Sequence, residues 1–201
     1  MSDNWYDRHI LPYMIDLACG IKPVDRQREK VVPQAQGRVL EIGIGTGLNL
    51  RHYDQDKVER LIGLDPAVQM HRLAEKRRAE SGMKVELVGL SAEKIPLDDA
   101  SFDTVVITFT LCSIPDPVAA LKEMRRVLVP GGTLLYCEHG AAPDADVRKW
   151  QDRVTPWWKK IAGGCHLNRD IPALLKEAGF TVETLEQMYL PGPKMLTYNY
   201  E

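Results

Sequence analysis

Apolar residues recur at helical spacing through residues 3–30, Ile10, Met14, Leu17 and Ala18 among them, and predict a helical opening. Pro23 is expected to break that segment in two, and Pro33 to Gly37 read as a turn. From Arg38 the pattern alternates. "RVLEIG" has the near-continuous apolar character of a buried strand and leads into a glycine turn and a short helix. "RLIGLD" predicts a second strand, after which Pro66 opens a helix to about Ser81, proline being tolerated in a first helical turn. "KVELVGL" predicts the third strand and the β-branched run "FDTVVITFT" the fourth. Val118, Leu121, Met124, Val127 and Leu128 mark the apolar face of a helix over residues 116–128. "PGG" ends that helix before a fifth strand, "TLLYCEH". Helices are predicted at about 144–161 and 170–178, and "FTVETLEQM" and "MLTYNY" as late strands.

Strands alternating with helices imply a parallel sheet with helices on both faces and right-handed crossovers. Ligands of such sheets sit at the carboxyl ends of the strands, near the point where strand order reverses. The first strand ends at Glu41 to Gly43, which puts the glycines of "VLEIGIGTGLNL" beside the ligand.

Composition narrows the class without changing this picture. The chain has 201 residues, 44% hydrophobic and 27% charged, as expected of one globular soluble domain. It divides into an N-terminal helical cap (1–36), a cofactor-binding core (37–140) and a substrate-side segment with the final strands (141–201). A net charge of -2 gives no reason to expect nucleic-acid binding. Cys19, Cys112, Cys137 and Cys165 form no CxxC pair and read as reduced thiols in a cytoplasmic protein. No apolar run approaches the roughly 20 residues of a membrane span, and the start lacks the order of a signal peptide. Trp5, Tyr6, Ile10 and Leu11 leave two readings open: peripheral surface association, or a helix packed on its own domain.

The chemistry lies in the spacing around the first turn. Glycine lets a ligand approach the main chain and makes positive φ cheap, and a helix start offers unpaired N–H groups. A pyrophosphate site would favour GxGxxG, whereas Gly43, Gly45 and Gly47 form ExGxGxG with Glu41 in front. An acid there suits a ligand with a positive group and no phosphate, and S-adenosylmethionine carries an α-amino group and a sulfonium. Asp65, at the end of the second strand, is placed to accept ribose hydroxyls, with Pro66 beside it. "SAEKIPL" follows the third strand and offers groups for an adenine edge.

"VLEIGIGTG", "GLDPA", "LSAEKIPLDDASFDTVV" and "LKEMRRVLVPGGTLLYCEH" resemble the successive motifs of class I S-adenosylmethionine-dependent methyltransferases, over roughly Val39 to His139. The resemblance implies a Rossmann-like three-layer α/β/α sandwich with a seven-stranded, mostly parallel sheet and an antiparallel last strand, for which "MLTYNYE" is the candidate. It implies that Glu41, Gly43, Gly45 and Gly47 cradle the methionine portion, that Asp65 holds the ribose, that Ser91, Ala92 and Glu93 flank adenine, and that Thr108 lines the cofactor. Many members have Asp where this chain has Ser91, a neutral group expected to make a weaker contact with the adenine amino group.

Downstream, "TLCSIPDP", "YCEHGA" and "GGCHLNRD" resemble the branch whose eukaryotic members are thiol S-methyltransferases. Those members carry a membrane anchor that this chain does not show. The expected partner is therefore a small-molecule methyl acceptor, with no nucleic acid and no stable membrane insertion, the protein acting as a monomer or homodimer. A thiol with a pKa of about 8.5 already holds some thiolate at neutral pH, so a modest base or a positive neighbour suffices. His139 follows the fifth strand and is the catalytic candidate, against a structural histidine beside Glu138. His166 follows two glycines and is a substrate-contact candidate, against a loop entering a helix capped by Asn168. Cys112 either lines the acceptor pocket or packs, and Tyr6 either belongs to a lid over the cofactor or to an amphipathic cap. The cysteines and histidines lack compact paired spacing, so no metal site is expected. Trp150, Trp157 and Trp158 occur at helical spacing and predict packing, with a substrate-chamber wall as the alternative. "KRR" at 76–78 and "MRR" at 124–126 read as solvated helix faces.

Overall fold

A computed structural model describes residues 5–201, so Asp3 and Asn4 of the predicted first helix lie outside the described residues. The opening holds three helices: α1 (Trp5–His9), α2 (Leu11–Cys19) and α3 (Lys22–Val31). The main break falls at Gly20 and Ile21, with Pro23 in the first turn of α3, where its missing N–H costs nothing. A 3-10 turn over Val32–Gln34 then delivers the chain to β1 (Gly37–Ile42).

The sheet is seven-stranded and ordered β3-β2-β1-β4-β5-β7-β6, with β2 (Val58–Leu64), β3 (Val85–Val88), β4 (Phe102–Thr108), β5 (Leu128–His139), β6 (Gln187–Tyr189) and β7 (Tyr198–Tyr200). Strand order reverses between β1 and β4, and β7 runs antiparallel to both β5 and β6. The expected architecture, antiparallel final strand included, is the observed one. The helices after the cap are α4 (His71–Ser81), α5 (Pro117–Val127), α6 (Ala145–Ile161), α7 (Ile171–Glu177) and the single turn α8 (Lys194–Thr197).

Side chains alternate across the sheet and build two cores. Leu40 and Ile42 of β1, with Val105 and Ile107 of β4, meet Leu121 and Met124 of α5 on one face. Val39 and Val106 meet Val32, Leu50 and Tyr53 on the other. The same alternation sends Glu41 and Thr108 toward that second face, under the cap.

Several local expectations are corrected. The short helix after the glycine turn is a 3-10 turn, Leu48–Arg51. Pro66 does not open α4: the Ala67 N–H is taken by Asp65 Oδ1 at 2.7 Å, and the helix starts only at His71. "PGG" lies inside β5, where pairing with β4 jumps from Phe102–Leu128 to Thr104–Thr133. "FTVETLEQM" contributes only Gln187 and Met188 to β6, because β7 offers three residues to pair with. Asp170, not Asn168, caps α7 by accepting from Ala173 N; Asn168 instead donates to Asp152. Trp150 and Trp157 are 55% and 72% exposed rather than packed, with Arg153 and Lys160 over their rings. Among the described residues no helix is long and apolar enough to cross a membrane.

Candidate active site

The glycine turn emerges from β1 at the reversal point, and its glycines have different reasons to be there. A Cβ on Gly43 would lie 2.2 Å from Thr110 Cγ2, so that position is bare because the β4–α5 connection packs on it. A Cβ on Gly47 would meet Ala74 of α4 at 3.1 Å, again a packing constraint. Gly45 differs. All three glycines have positive φ, but only at Gly45 do the nearest neighbours to a built Cβ stand back at 3.7–3.8 Å, so main chain is open to a ligand there. Its N–H donates to Asp65 Oδ2 at 2.9 Å, joining the turn to the end of β2. Each Asp65 oxygen thus accepts one backbone N–H and keeps a further lone pair. Burial raises the Asp65 pKa, against those two bonds.

Beneath the turn lies a buried polar network that the sequence reading missed. Glu41 accepts from Asn49 Nδ2 at 2.9 Å and from the Tyr53 hydroxyl at 2.8 Å. Burial pushes its pKa up to about 7. Arg28, from α3, donates to Asn49 Oδ1 and to Thr108 Oγ1, and its guanidinium stands 4.9 Å from the centre of the Phe109 ring. Arg28 Nε is buried without a partner. Glu41 and Thr108 therefore support the turn from below rather than stand on its surface.

The loop after β3 is braced as well. Ser91 Oγ donates to Glu93 Oε2 at 2.9 Å, while Glu93 Oε1 accepts from Asp116 N at 2.7 Å. Ala92 is buried between them. Arg126 ties the same loop to α5 through Ile95 O, Leu97 O and Glu123, so "MRR" is more than a solvated face. "KRR" is corrected likewise. Arg77 forks onto Asp16 of α2 at 2.7 and 3.0 Å and donates to Thr46 O at 2.8 Å. Thr46 adds a 2.6 Å bond to Asp16, locking α2 over the glycine turn. Despite its burial, these partners hold Asp16 below the usual carboxylate range. Tyr6 reaches the other side of the cap, donating to Ile161 O at 3.1 Å at the end of α6.

A second group of side chains is assembled from the β4–α5 connection, the end of β5 and the turn after α6. Cys112 follows β4, His139 ends β5, and Cys165 lies in the turn after α6. Their Sγ, Nε2 and Sγ atoms all lie within 4.8 Å of one another. Cys165 Sγ is 3.2 Å from His139 Nε2 and accepts from Trp158 Nε1 at 3.3 Å. A bond from the Cys165 thiol, helped by His139, draws Cys112 well below the ordinary thiol range despite burial. Burial opposes a charged His139, yet Cys112 outweighs it and the imidazole ends above its usual value. His166 N donates to Cys112 O at 2.9 Å, and its Nδ1 lies 3.2 Å from the same oxygen, so His166 pins the cysteine loop. Glu138, between strand and site, accepts from Thr110 N and Leu111 N, leaves Oε2 unpaired, and is pushed by burial up to about 8.

Thr110 joins the two halves, since it packs against Gly43 and precedes Cys112 by two residues. Arg28, Asn49 and Tyr53 are the site-forming residues that pattern reasoning passed over, while Cys165, set aside on spacing, is brought to His139 by the fold. Only the polar residues Asn49 and Tyr53, close behind the glycines, carried any local signal.

Residues 40–136 match the family described as Methyltransferase domain. A thiol S-methyltransferase of Homo sapiens is 37% identical over 163 residues, which are 78% of this chain and 66% of that protein. The demethylmenaquinone methyltransferase of Thermus thermophilus is 32% identical over 77% of this chain and 71% of its own. The chain spans 62–66% of the length of the mammalian thiol S-methyltransferases it matches. Among solved structures, a SAM-dependent methyltransferase from Aquifex aeolicus shares the fold with a TM-score of 0.62 at 20% identity, covering 94% of this chain and 95% of that one.

Proposed function

The chain belongs to the methyltransferase domain family, whose S-adenosylmethionine-dependent members share its fold, and from that premise we propose that it methylates the sulfur of a small or lipophilic thiol. The observation that carries the acceptor is the meeting of Cys112, His139 and Cys165 close to the glycine turn, where the turn after α6 also packs against Leu11 and Ile15 of the cap. The likeness to thiol S-methyltransferases supports it, because that alignment covers more of the chain than residues 40–136.

The residues fit the cofactor. Gly45 leaves its main chain open, and Asp65 keeps lone pairs for a ribose diol. Pro66 closes the same corner, while Ser91, Ala92 and Glu93 flank the adenine. Glu41, Gly43, Gly47 and Thr108 hold the turn that carries the methionine portion. S-adenosylmethionine, when bound, supplies a sulfonium methyl open to in-line displacement. The chain's share is alignment and exclusion of water. Asp16, Thr46 and Arg77 hold the cap down over the turn. His139, kept above its ordinary pKa, serves as the positive neighbour that favours an acceptor thiolate, with Cys112 and His166 shaping the pocket and Tyr6 fastening the cap.

We read residues 1–36 as the cap, 37–140 as the cofactor core and 141–201 as the acceptor side of one unit. Cysteine usage supports a cytoplasmic protein, which we take to work as a monomer or homodimer. The test is incubation of purified protein with labelled cofactor and a panel of alkyl and aryl thiols, beside a cell extract. Labelled thioethers are expected. Unlabelled thiols together with a labelled quinone precursor or phospholipid headgroup would move the acceptor to carbon, oxygen or nitrogen.

A further inference from the structure

We propose that Cys112, His139 and Cys165 form a binding site for one thiophilic divalent cation of the zinc type, with the fourth coordination position open to the acceptor's sulfur. This rests on the thiol reading above and sharpens it: the positive neighbour of the acceptor becomes a metal ion, and His139 becomes one of its ligands.

The donor set is the first ground. Two thiol sulfurs and one imidazole nitrogen are the ligands zinc prefers, and three protein ligands with one open position mark a catalytic rather than a closed structural site. Geometry is the second. Tetrahedral zinc holds sulfur and nitrogen donors about 3.5–3.8 Å apart. Here Cys165 Sγ stands 3.2 Å from His139 Nε2, and all three donor atoms fall within 4.8 Å of each other. Closing them round an ion takes side-chain adjustment and no movement of strands.

The supporting shell is the third ground. Trp158 Nε1 already donates to Cys165 Sγ at 3.3 Å, an N–H bond of the kind that fixes a ligand sulfur. The backbone of each ligand segment is also pinned. Cys112 O accepts from His166 N, Cys165 N donates to Ala162 O, and His139 pairs with Asn199 in the sheet. Long sequence separation is no objection, since the ligands come from three connections that the sheet brings to one edge.

The chemical step balances without a redox partner. A thiol R–SH taking the open position releases its proton to solvent and stays as a metal-held thiolate. A sulfur lone pair then forms the new S–CH3 bond as the methyl–sulfonium bond breaks, its electron pair returning to the departing sulfur. The products are two neutral thioethers. The methylated acceptor, now without a thiolate charge, is a poor ligand and leaves.

Zinc titration of the reduced full chain against a chromophoric chelator tests the site, with the cobalt-loaded protein read by absorption. We expect one ion per chain and a thiolate-to-cobalt charge-transfer band. Cys165→Ser and His139→Gln should each weaken zinc binding by more than the roughly 10–100-fold that loss of an outer partner costs, and Trp158→Phe by about 10-fold. Cys137→Ala, with its thiol outside the cluster, should leave binding unchanged; circular dichroism checks that each variant folds. Zinc binding no tighter than in a Cys112→Ser/Cys165→Ser double variant, or cobalt without the thiolate band, overturns the site. A chelator-stripped protein that still methylates thiols at the full rate also overturns it while leaving the thiol reading intact. A protein that binds zinc through these residues yet methylates only non-thiol acceptors refutes the proposal of an acceptor-sulfur position and the thiol reading with it.

Discussion

The glycine turn and the cysteine–histidine cluster share one edge of the sheet but are built by different rules. The turn gathers its parts from neighbouring strands in sequence order: Gly45 and Asp65 lie twenty residues apart and bond directly. The cluster draws Cys112, His139 and Cys165 from the β4–α5 connection, the end of β5 and the turn after α6, its bonded pair His139 and Cys165 lying 26 positions apart. The first region is fixed by backbone, through left-handed φ and N–H donors, and is indifferent to what accepts the methyl. The second is fixed by side-chain chemistry and is where the proposed function places acceptor choice. Substitutions should therefore separate cleanly: damage at the turn appears in cofactor affinity, damage at the cluster in turnover.

The largest effect is expected at the cluster. On the proposed mechanism His139→Ala removes the group that favours the acceptor thiolate, and turnover should fall about 10²–10⁴-fold. Calorimetry should find cofactor affinity unchanged, because His139 makes no contact with the glycine turn. Turnover near the parent rate would reduce His139 to a packing histidine and remove the contrast between the regions.

Asp65→Ala is the mirror experiment. Loss of a charge-assisted contact should weaken cofactor binding by about 1–3 kcal/mol, roughly 5–150-fold in Kd. The rate at saturating cofactor should hold. Unchanged affinity would mean that Asp65 serves the fold alone, through Gly45 N and Ala67 N.

A pair of stability effects divides the turn itself. Gly43→Ala drives a methyl to 2.2 Å from Thr110 and also holds alanine at φ +69, so clash and left-handed backbone together should lower stability of the unliganded protein by about 2–5 kcal/mol. Gly45→Ala has room and should pay only the cost of left-handed backbone, about 1–2 kcal/mol, while impairing cofactor binding more than Gly43→Ala does relative to its stability loss. Equal ratios of binding loss to stability loss in the two variants would show that Gly45 is a packing glycine too.

This contrast also explains what could be read from the chain. The alternation of strands and helices, the turn and Asp65 all announce themselves within short windows, since period, glycine spacing and strand ends are local properties. Arg28 does not. In "VDRQREK" it looks like any solvated base, and only the crossing of α3 over the sheet buries it beside Asn49 and Thr108. Arg77 and Arg126 are hidden in the same way: Asp16 meets Arg77 only when α2 docks, and Arg126 finds Ile95 O and Leu97 O only when the loop after β3 folds onto α5. The cluster was missed because metal-ligand spacing along a chain shows only sites made within one motif. Pro66 misled for a subtler reason: the Asp65 side chain captured the N–H that a helix start would have used.

Glu41 gives the smallest and finest test, because it belongs to the turn by sequence and to the scaffold by position. Burial lifts its pKa from 4.5 to about 7, so the folded state binds a proton that the unfolded state has already lost. Its contribution to stability is thus complete below pH 4.5 and is lost as pH rises through about 7. Thermal stability of the unliganded protein should fall across that window. Glu41→Gln, which keeps an acceptor for Tyr53, should flatten the fall, and the difference between the two curves isolates Glu41 from Glu138, which is lifted to about 8. A cation bound above the turn favours the ionised carboxylate, so cofactor affinity should rise from pH 6 to pH 8, by less than about tenfold because Glu41 acts through its field. Proton release on binding near neutral pH, seen as buffer-dependent heat, is the direct signature. If parent and Gln variant show the same flat affinity and the same heat in every buffer, Glu41 never senses the ligand's charge. The acid before the glycines would then be a strut for Asn49 and Tyr53, and cation recognition would have to come from the open main chain at Gly45 and from Asp65.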